Sequence, residues 1–427
     1  MSIVGMRNYR RVVPRALHRL GGFGSSIVLM AVINVSVIPI VISLAGATVW
    51  GGIAVAQSIA AFGAIIVAFG WGTTGPSDVA RLSHERRGQF YVDSVSSRVW
   101  LFAMVLPAVL AIVWYVAPAD HLANACAAVA LLMPALGASW FFIGEKSPWR
   151  LLLFENAPRA IGTIIGALFL VTLGNVAVFT AAQALGALAS VVVGWINVTG
   201  RYRNYVLSAG PRAAALRLPQ QAGGMITAST AALYVNLPLV LVSLVVPGAT
   251  AAYAVADKLL KFALTAFSPI TQVAQGYVPS TDPEKHLQRA KVAAISAATL
   301  GVIAGSLYAM LAPWAAHLLS AHKIEISGEL SIPLGVALAS IATSGIVGLA
   351  CLTSFGAIKR VAMSTILGAL AGVPLLIVSG VVAGAVGIAW ATASSELLVT
   401  AYQLFYFRRL ASQQSVPRSS RRNPLPK

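Results

Sequence analysis

Charged residues, cysteines and alternating polar patterns are all scarce in this chain of 427 residues. Charged residues make up 10% of it and apolar residues 58%, whereas soluble domains carry about 25% charged residues. This balance excludes a water-soluble globular protein and predicts an integral membrane protein. Strands need a period-2 alternation of apolar and polar residues, which is absent, so a membrane barrel is excluded. Cys126 and Cys351 both lie in apolar stretches, which predicts neither a disulfide nor a metal site.

Long apolar stretches are abundant instead. Each is long enough to cross the hydrocarbon layer, which is about 30 Å thick and needs a helix of about 20 residues. The sequence therefore predicts an all-α integral membrane protein with twelve transmembrane helices, near residues 24–45, 50–71, 99–117, 121–142, 152–173, 176–197, 222–245, 250–274, 291–314, 331–354, 361–380 and 384–406.

Acidic residues are few, with 12 Asp and Glu against 30 Lys and Arg and a formal net charge of +18. Of these cations, 27 fall in or beside the termini and the even-numbered loops, two lie in the predicted eighth helix, and only Lys323 falls on the opposite side. Because cytoplasmic loops collect Lys and Arg, we expect both termini and the even-numbered loops to be cytoplasmic. The positive charge follows from topology, so we expect no nucleic-acid partner.

Residues 33–59 and 233–259 resemble each other, and several identities share one offset of 200 positions, as in Ser43-Leu44 and Ser243-Leu244. Such a duplication predicts two six-helix lobes of the same orientation, with a substrate site at their interface. The predicted organisation is a basic amphipathic segment (1–21), a first lobe (22–197), a cytoplasmic linker (198–221), a second lobe (222–407) and a basic disordered tail (408–427).

A polar stripe runs along the predicted eighth helix within about 100° of arc. It contains Thr250, Asp257, Lys258, Lys261, Thr265, Ser268, Gln272 and Gln275. A lysine near the bilayer centre costs about 2.5–3.5 kcal/mol or more when it faces lipid. The stripe is therefore predicted to face protein or water, with both lysines lining a cavity. The candidate substrate-binding residues are Lys258, Lys261, Gln57 and Thr265.

The predicted twelfth helix has a weaker polar line, made of Thr392, Glu396, Thr400 and Gln403. Glu396 and Asp257 are candidates for ion coupling, because buried carboxylates move protons or cations. The alternative is an ion-pair network of these acids with the lysines that only orders the bundle. Glu155 and Arg159, one turn apart, are secondary candidates for which a structural role is favoured.

Four short segments carry a family likeness: residues 70–75 (GWGTTG) with Ala80-Arg81, residues 140–146 (WFFIGEK), residues 254–259 (AVADKL), and Ser268-Pro269 with 272–280. They resemble the polysaccharide-transporter branch of the multidrug/oligosaccharidyl-lipid/polysaccharide (MOP) exporter superfamily, specifically its Wzx-type flippases of lipid-linked oligosaccharides. Ile143 stands where that family often has Gln, and Trp71 where Phe or Tyr is usual.

The resemblance implies alternating access around a central cationic cavity that takes a polyprenyl-pyrophosphate-linked glycan. Only Lys258 and Lys261 have both a motif match and a physical reason to face that cavity. We therefore expect a monomeric flippase of the bacterial inner membrane that moves undecaprenyl-pyrophosphate-linked oligosaccharide to the outer leaflet for polysaccharide biosynthesis. We expect no cofactor beyond an H⁺ or Na⁺ coupling ion, and membrane lipids and a polysaccharide polymerase or ligase as partners.

The nearest alternative is a proton- or sodium-coupled exporter of small amphipathic compounds. An enzyme is not expected, because the longest outer loop is too short to hold an active site. That loop, residues 315–330, contains His317, His322, Glu325 and Glu329.

Overall fold

The computed structural model of the chain describes residues 30–117, 120–207 and 210–415. Within these ranges the chain is helical apart from short turns and contains no strand, so the all-α class is confirmed. The predicted amphipathic segment 1–21 and the residues from 416 onward lie outside the described part of the chain.

The helices of the first part of the chain begin and end at recognisable caps. The Asp120 side chain accepts from the Ala123 amide, Asn175 accepts from the Val178 amide, and Gly174 ends a helix with φ of +64°. These helices are α1 Met30–Ala45, α2 Ala47–Ala68, α3 Trp71–Arg81, α4 His84–Val116, α5 His121–Leu132, α6 Ser139–Gly144, α7 Pro148–Leu173, α8 Val176–Arg201, α9 Pro211–Arg217 and α10 Ala222–Val245.

Four longer helices complete the described chain: α11 Thr250–Tyr277, α12 Pro283–Leu319, α13 Gly328–Ile346 and α14 Ile358–Ser415. The last of these bends at Ala383 and Gly384, where the backbone leaves helical geometry. Glycine at position 384 adopts φ of +60°, a conformation that side-chain-bearing residues rarely take. The bend separates the predicted segments 361–380 and 384–406.

The predicted apolar stretches all fall on helices, as far as the described residues reach. Eight helical segments of the described chain are long and apolar enough to cross a membrane, and α1 and Val235–Val245 are shorter apolar helices. The chain is therefore a multi-pass membrane protein. The count of twelve spans and the cytoplasmic position of both termini stay predictions.

Two predicted loops are helical instead. Residues 72–98 fold as α3 and the first half of α4, and the tail predicted to be disordered from residue 408 is helical as far as Ser415. Arg98, which the sequence places in a loop, consequently lies about 21 Å into α4 at 1.5 Å per residue, and is only 1% exposed.

The linker between the predicted lobes packs along α4. Asp93 forms an ion pair with Arg217 at 2.8 Å, and the Gln89 side chain accepts from the Val206 amide at 2.7 Å. The Ser97 hydroxyl also donates to the Ala214 carbonyl at 3.2 Å. These contacts fix the residues that precede α10.

The chain forms two compact units, one of Met1–Val255 with Ala315–Glu325 and one of Ala256–Trp314 with Ile326–Lys427. An aromatic cluster that includes Trp71, Tyr91 and Trp140 fills one part of the first unit. In the second unit the His286 and Phe355 rings stack at 4.4 Å beside a cluster containing Phe407. The lobe boundaries drawn from the sequence stay a prediction.

Candidate functional site

The polar stripe of α11 contains a close ion pair. Lys261 Nζ lies 2.7 Å from Asp257 Oδ2, one turn apart on the same helix, and the two side chains are 31% and 12% exposed. This (i, i+4) spacing brings an acid and a base together on one helix face. The Asp257–Lys261 contact of the ion-pair alternative is therefore present in the geometry.

The other stripe residues lie on a partly open face. Lys258 is half-buried, whereas Thr265, Ser268 and Gln272 are exposed. Thr265 donates its hydroxyl to the Lys261 carbonyl at 2.8 Å, and Gln272 donates to the Ser268 hydroxyl at 3.3 Å. Since these bonds stay within α11, the exposed polar groups belong to a helix face that needs water or a polar ligand rather than lipid.

A tyrosine from α12 fixes the helix next to the ion pair. The Tyr308 hydroxyl donates to the Ala256 carbonyl at 2.7 Å, and Tyr308 is 7% exposed. Ala256 directly precedes Asp257, so this bond fixes α11 against α12 where the carboxylate projects.

The polar line of α14 is buried in the second unit. Thr392, Glu396, Thr400 and Gln403 are each at most 9% exposed. Thr400 donates to the Ser340 carbonyl at 2.9 Å and the Gln403 amide donates to the Ser364 hydroxyl at 2.9 Å. The line thus packs against α13 and against the part of α14 that precedes its bend.

Glu396 is the exception in this line, because its carboxylate makes no hydrogen bond or ion pair with any described residue. The Gln403 side-chain oxygen is also buried without a partner in the described chain. Glu396 therefore does not join the Asp257–Lys261 pair, contrary to the ion-pair network considered from the sequence. Oxygen acceptors that lack a hydrogen-bond donor can instead bind a proton or a hard cation.

In the first unit, Glu155 lies at a break in a membrane helix. The segment from His121 runs to Leu136, stops at Gly137, and restarts as α6 at Ser139. The Glu155 carboxylate accepts from the Ala138 amide and is 1% exposed. A π-helical turn, Leu152–Asn156, carries it there. A Cβ on Gly137 would lie 2.6 Å from the carboxylate, so only glycine leaves room for it.

Glu155 and Arg159 stand one turn apart and attract each other electrostatically, but no hydrogen bond or ion pair within 4.0 Å joins them in the described structure. Arg98 binds the helix end that precedes the break. Sequence reasoning missed this residue because it was counted among the loop cations. Arg98 Nη1 donates to the Ala135 and Gly137 carbonyls at 2.8 and 3.0 Å, and its guanidinium lies 5.5 Å from the centre of the Trp140 ring. Pro134 and Gly137, inside the predicted fourth helix, were the available signal in the sequence for a break at this point.

Glu145 forms a second charged cluster just after α6. Arg201 donates to both of its oxygens at 2.7 and 2.9 Å, Tyr202 donates at 2.5 Å, and Arg150 lies at 3.3 Å. Burial acts to raise the pKa of Glu145, but the hydrogen bonds from Arg201 and Tyr202 outweigh it and hold that pKa below its ordinary value. This cluster ties the ends of α6, α7 and α8 together.

The remaining candidates are spread over the chain. Gln57 is half-buried on α2 in the first unit. Cys126 and Cys351 are free thiols, and the described residues contain no group of three or more metal-ligating side chains. His317, in the last turn of α12, contacts His322, in the turn that follows, at 2.8 Å.

The sequence matches no protein-family model and no curated protein. The fold does match solved structures. One is an inward-facing multidrug resistance MATE family transporter of the MOP superfamily, with TM-score 0.62, 16% identity, and coverage of 90% of this chain and 98% of that one. Another is the lipid II flippase MurJ in an inward closed conformation, with TM-score 0.60, 13% identity, and coverage of 92% and 90%.

An outward-facing MATE family transporter matches with TM-score 0.55, 15% identity, and coverage of 93% and 96%. Identities this low establish the fold and not the substrate. The chain has the fold of MOP superfamily transporters, which is the superfamily the sequence motifs resemble. The solved structures that share this fold are described as transporters and a flippase.

Proposed function

We propose that the chain is a flippase that moves undecaprenyl-pyrophosphate-linked oligosaccharide across the bacterial inner membrane by alternating access. The observation that carries this proposal is the stripe on α11, where Lys258 and Lys261 stand beside exposed hydroxyl and amide groups. A similar fold serves a protein whose name identifies it as a lipid II flippase.

The chemistry of the stripe suits a pyrophosphate head group. Lysine ammonium groups bind phosphate oxygens as compact charges, and such hydrogen bonds are roughly twice as strong as neutral ones. Two lysines one turn apart can reach both phosphates of one head group. Asp257 holds the Lys261 side chain in position until substrate arrives. Thr265 and Gln57 are the proposed polar contacts to the glycan.

The proposal includes the setting predicted from the sequence. The chain works in the inner membrane as a monomer, and a polysaccharide polymerase or ligase uses the translocated units. No cofactor is required other than a coupling ion, H⁺ or Na⁺, whose site we assign to Glu396.

Gene deletion with complementation tests the proposal. Without the chain, lipid-linked oligosaccharide should accumulate facing the cytoplasm and the surface polymer should be lost. Wild type should restore export fully, Lys261→Arg in part and Lys261→Gln not at all. Lys285→Gln is the matched control, because this lysine side chain is 67% exposed and pairs with Asp282, three residues away. Normal surface polymer in the deletant would overturn the proposal.

Glu396 supports a second candidate, an ion-coupled exporter of small amphipathic compounds. A buried carboxylate without a partner in the described chain can take up a proton or a cation during transport. Under this reading, Glu396→Gln should abolish efflux of amphipathic dyes, whereas Glu329→Gln, on an exposed first turn of α13, should not. Unchanged surface polymer in the deletant together with lost dye efflux would favour this candidate over the flippase.

A further inference from the structure

Lys323, the one cation predicted on the outer side, binds the end of another helix. Its Nζ lies 2.6 Å from the Ser43 carbonyl oxygen and 3.5 Å from that of Ile42. These carbonyls belong to the last turn of α1, which ends at Ala45. The Ile42 carbonyl also accepts from the Gly46 amide at 3.1 Å, so the Ser43 carbonyl is the main partner of the ammonium group. The carbonyls of the last turn carry the negative end of the helix dipole, where a cation is favourable.

The turn that presents Lys323 is held in an unusual backbone conformation. Ala321 and His322 both have positive φ, +50° and +65°, which costs of order 1–3 kcal/mol for residues other than glycine. Ser320 fixes the turn by accepting from the Ile324 amide at 2.9 Å and donating to the Ile324 carbonyl at 3.2 Å. The backbone of the turn thereby directs the Lys323 side chain toward the end of α1.

The division into compact units also groups the Lys323 turn with α1. Ala315–Glu325 clusters with the first unit, although the chain on both sides of it belongs to the second. By the sequence repeat, the same segment lies between two helices of the second predicted lobe, whereas Ser43 lies in the first. If the lobes divide as the repeat predicts, the bonds of Lys323 join parts of the chain that alternating access requires to separate.

A second close contact lies at the same predicted end of the helices. A Cβ on Gly51, in the first turn of α2, would lie 3.3 Å from the Ala251 backbone nitrogen, in the first turn of α11. Positions 51 and 251 differ by the repeat offset of 200. Equivalent residues of two repeats can meet only at the axis that relates them, so the two helix ends meet there.

We infer that Lys323 is a latch that keeps the outer side of the transporter closed, by capping α1 beside the Gly51–Ala251 contact. This inference rests on the proposed alternating access but not on the substrate. Opening the outer side breaks the bonds to Ser43 and Ile42, so removing the ammonium group raises the population that is open outward.

Thiol accessibility tests the latch without any transport assay. In a Cys126→Ala, Cys351→Ala background, the reporter is Ala54→Cys on α2, three residues beyond Gly51, where the side chain is 4% exposed. Labelling of intact cells by a membrane-impermeant reagent should be about tenfold faster with Lys323→Gln or Lys323→Ala. With Lys323→Arg it should stay near wild type, because the cation is kept. Glu325→Gln, in the same turn, is the matched control and should have no effect.

Three results would overturn the latch. One is an unchanged labelling rate in both charge-removing variants, and another is equal acceleration by Lys323→Arg. The third is loss of both charge-removing variants from the membrane, since a latch is not needed for folding. Because labelling needs no substrate, the latch can fail while glycan export stands. Equally, the flippase can fail while the latch stands.

Discussion

Arg98 and Glu155 cap the two ends of one break in a membrane helix. Arg98 donates to the Ala135 and Gly137 carbonyls at the end of the first segment, and Glu155 accepts from the Ala138 amide at the start of the second. Each charge opposes the helix-dipole end that it meets, and each satisfies backbone groups that the break leaves without partners. Backbone groups inside a membrane protein must be satisfied by the protein itself, so this pair allows the helix to be interrupted.

Glycine at position 137 should therefore be required for stability. Gly137→Ala places a Cβ 2.6 Å from a carboxylate oxygen of Glu155 and should displace that carboxylate from the Ala138 amide. We expect a loss of about 2–4 kcal/mol, from an unsatisfied amide and an uncompensated charge, measured as a lower thermal midpoint in detergent. Gly200→Ala, near the end of α8 with open space around the new Cβ, is the control and should not lower the midpoint. Equal midpoints for Gly137→Ala and wild type would refute the capping role.

Stability should depend on pH through Glu145. Its pKa is lowered in the folded chain by Arg201 and Tyr202 despite burial. Its contribution is therefore complete above the ordinary glutamate pKa, about 4.3, and is lost as the pH falls through the lower folded-state value. Glu145→Gln should lower the thermal midpoint at pH 7, and its deficit relative to wild type should shrink as the pH falls below 4. A deficit that grows on acidification would contradict this sign.

Variants of the Asp257–Lys261 pair should show whether Lys261 binds substrate or only stabilises the fold. Lys261→Gln leaves Asp257 without its partner and should destabilise the protein by about 1–2 kcal/mol, less than a fully buried pair because Lys261 is 31% exposed. Adding Asp257→Asn should restore membrane abundance but not glycan export. Recovery of export in the double variant would reject Lys261 as a substrate ligand.

Topology can be tested with exposed serines. Ser83 and Ser412 are exposed and suitable, whereas Ser94, in the predicted loop 72–98, is fully buried in α4. Because the loop cations divide 27 to 1, Ser83→Cys and Ser412→Cys should resist a membrane-impermeant thiol reagent in intact cells and react after permeabilisation. Ser327→Cys, exposed in the turn after α12, should react in both. Labelling of Ser83→Cys in intact cells would reverse the orientation.

Sequence alone predicted the helical architecture because a helix that crosses the lipid layer must be apolar over about 20 consecutive residues, which the sequence shows directly. The segments near 50–71, 121–142 and 176–197 match α2, the His121–Gly144 segment and α8 within a few residues. Local spacing also found the Asp257–Lys261 pair, since an acid and a base four residues apart on a helix meet without help from any other element.

Contacts between distant segments were decided only by the tertiary structure. The sequence counted Arg98 as a loop cation because no local pattern shows that it reaches carbonyls 37 and 39 residues away. Lys323 was likewise only an outer cation until the turn after α12 met the end of α1. An ion pair of Glu396 with the lysines was the alternative that the sequence left open, and the described residues show none. Periodicity fixes which face of a helix is polar, whereas the packing of helices fixes which polar groups meet.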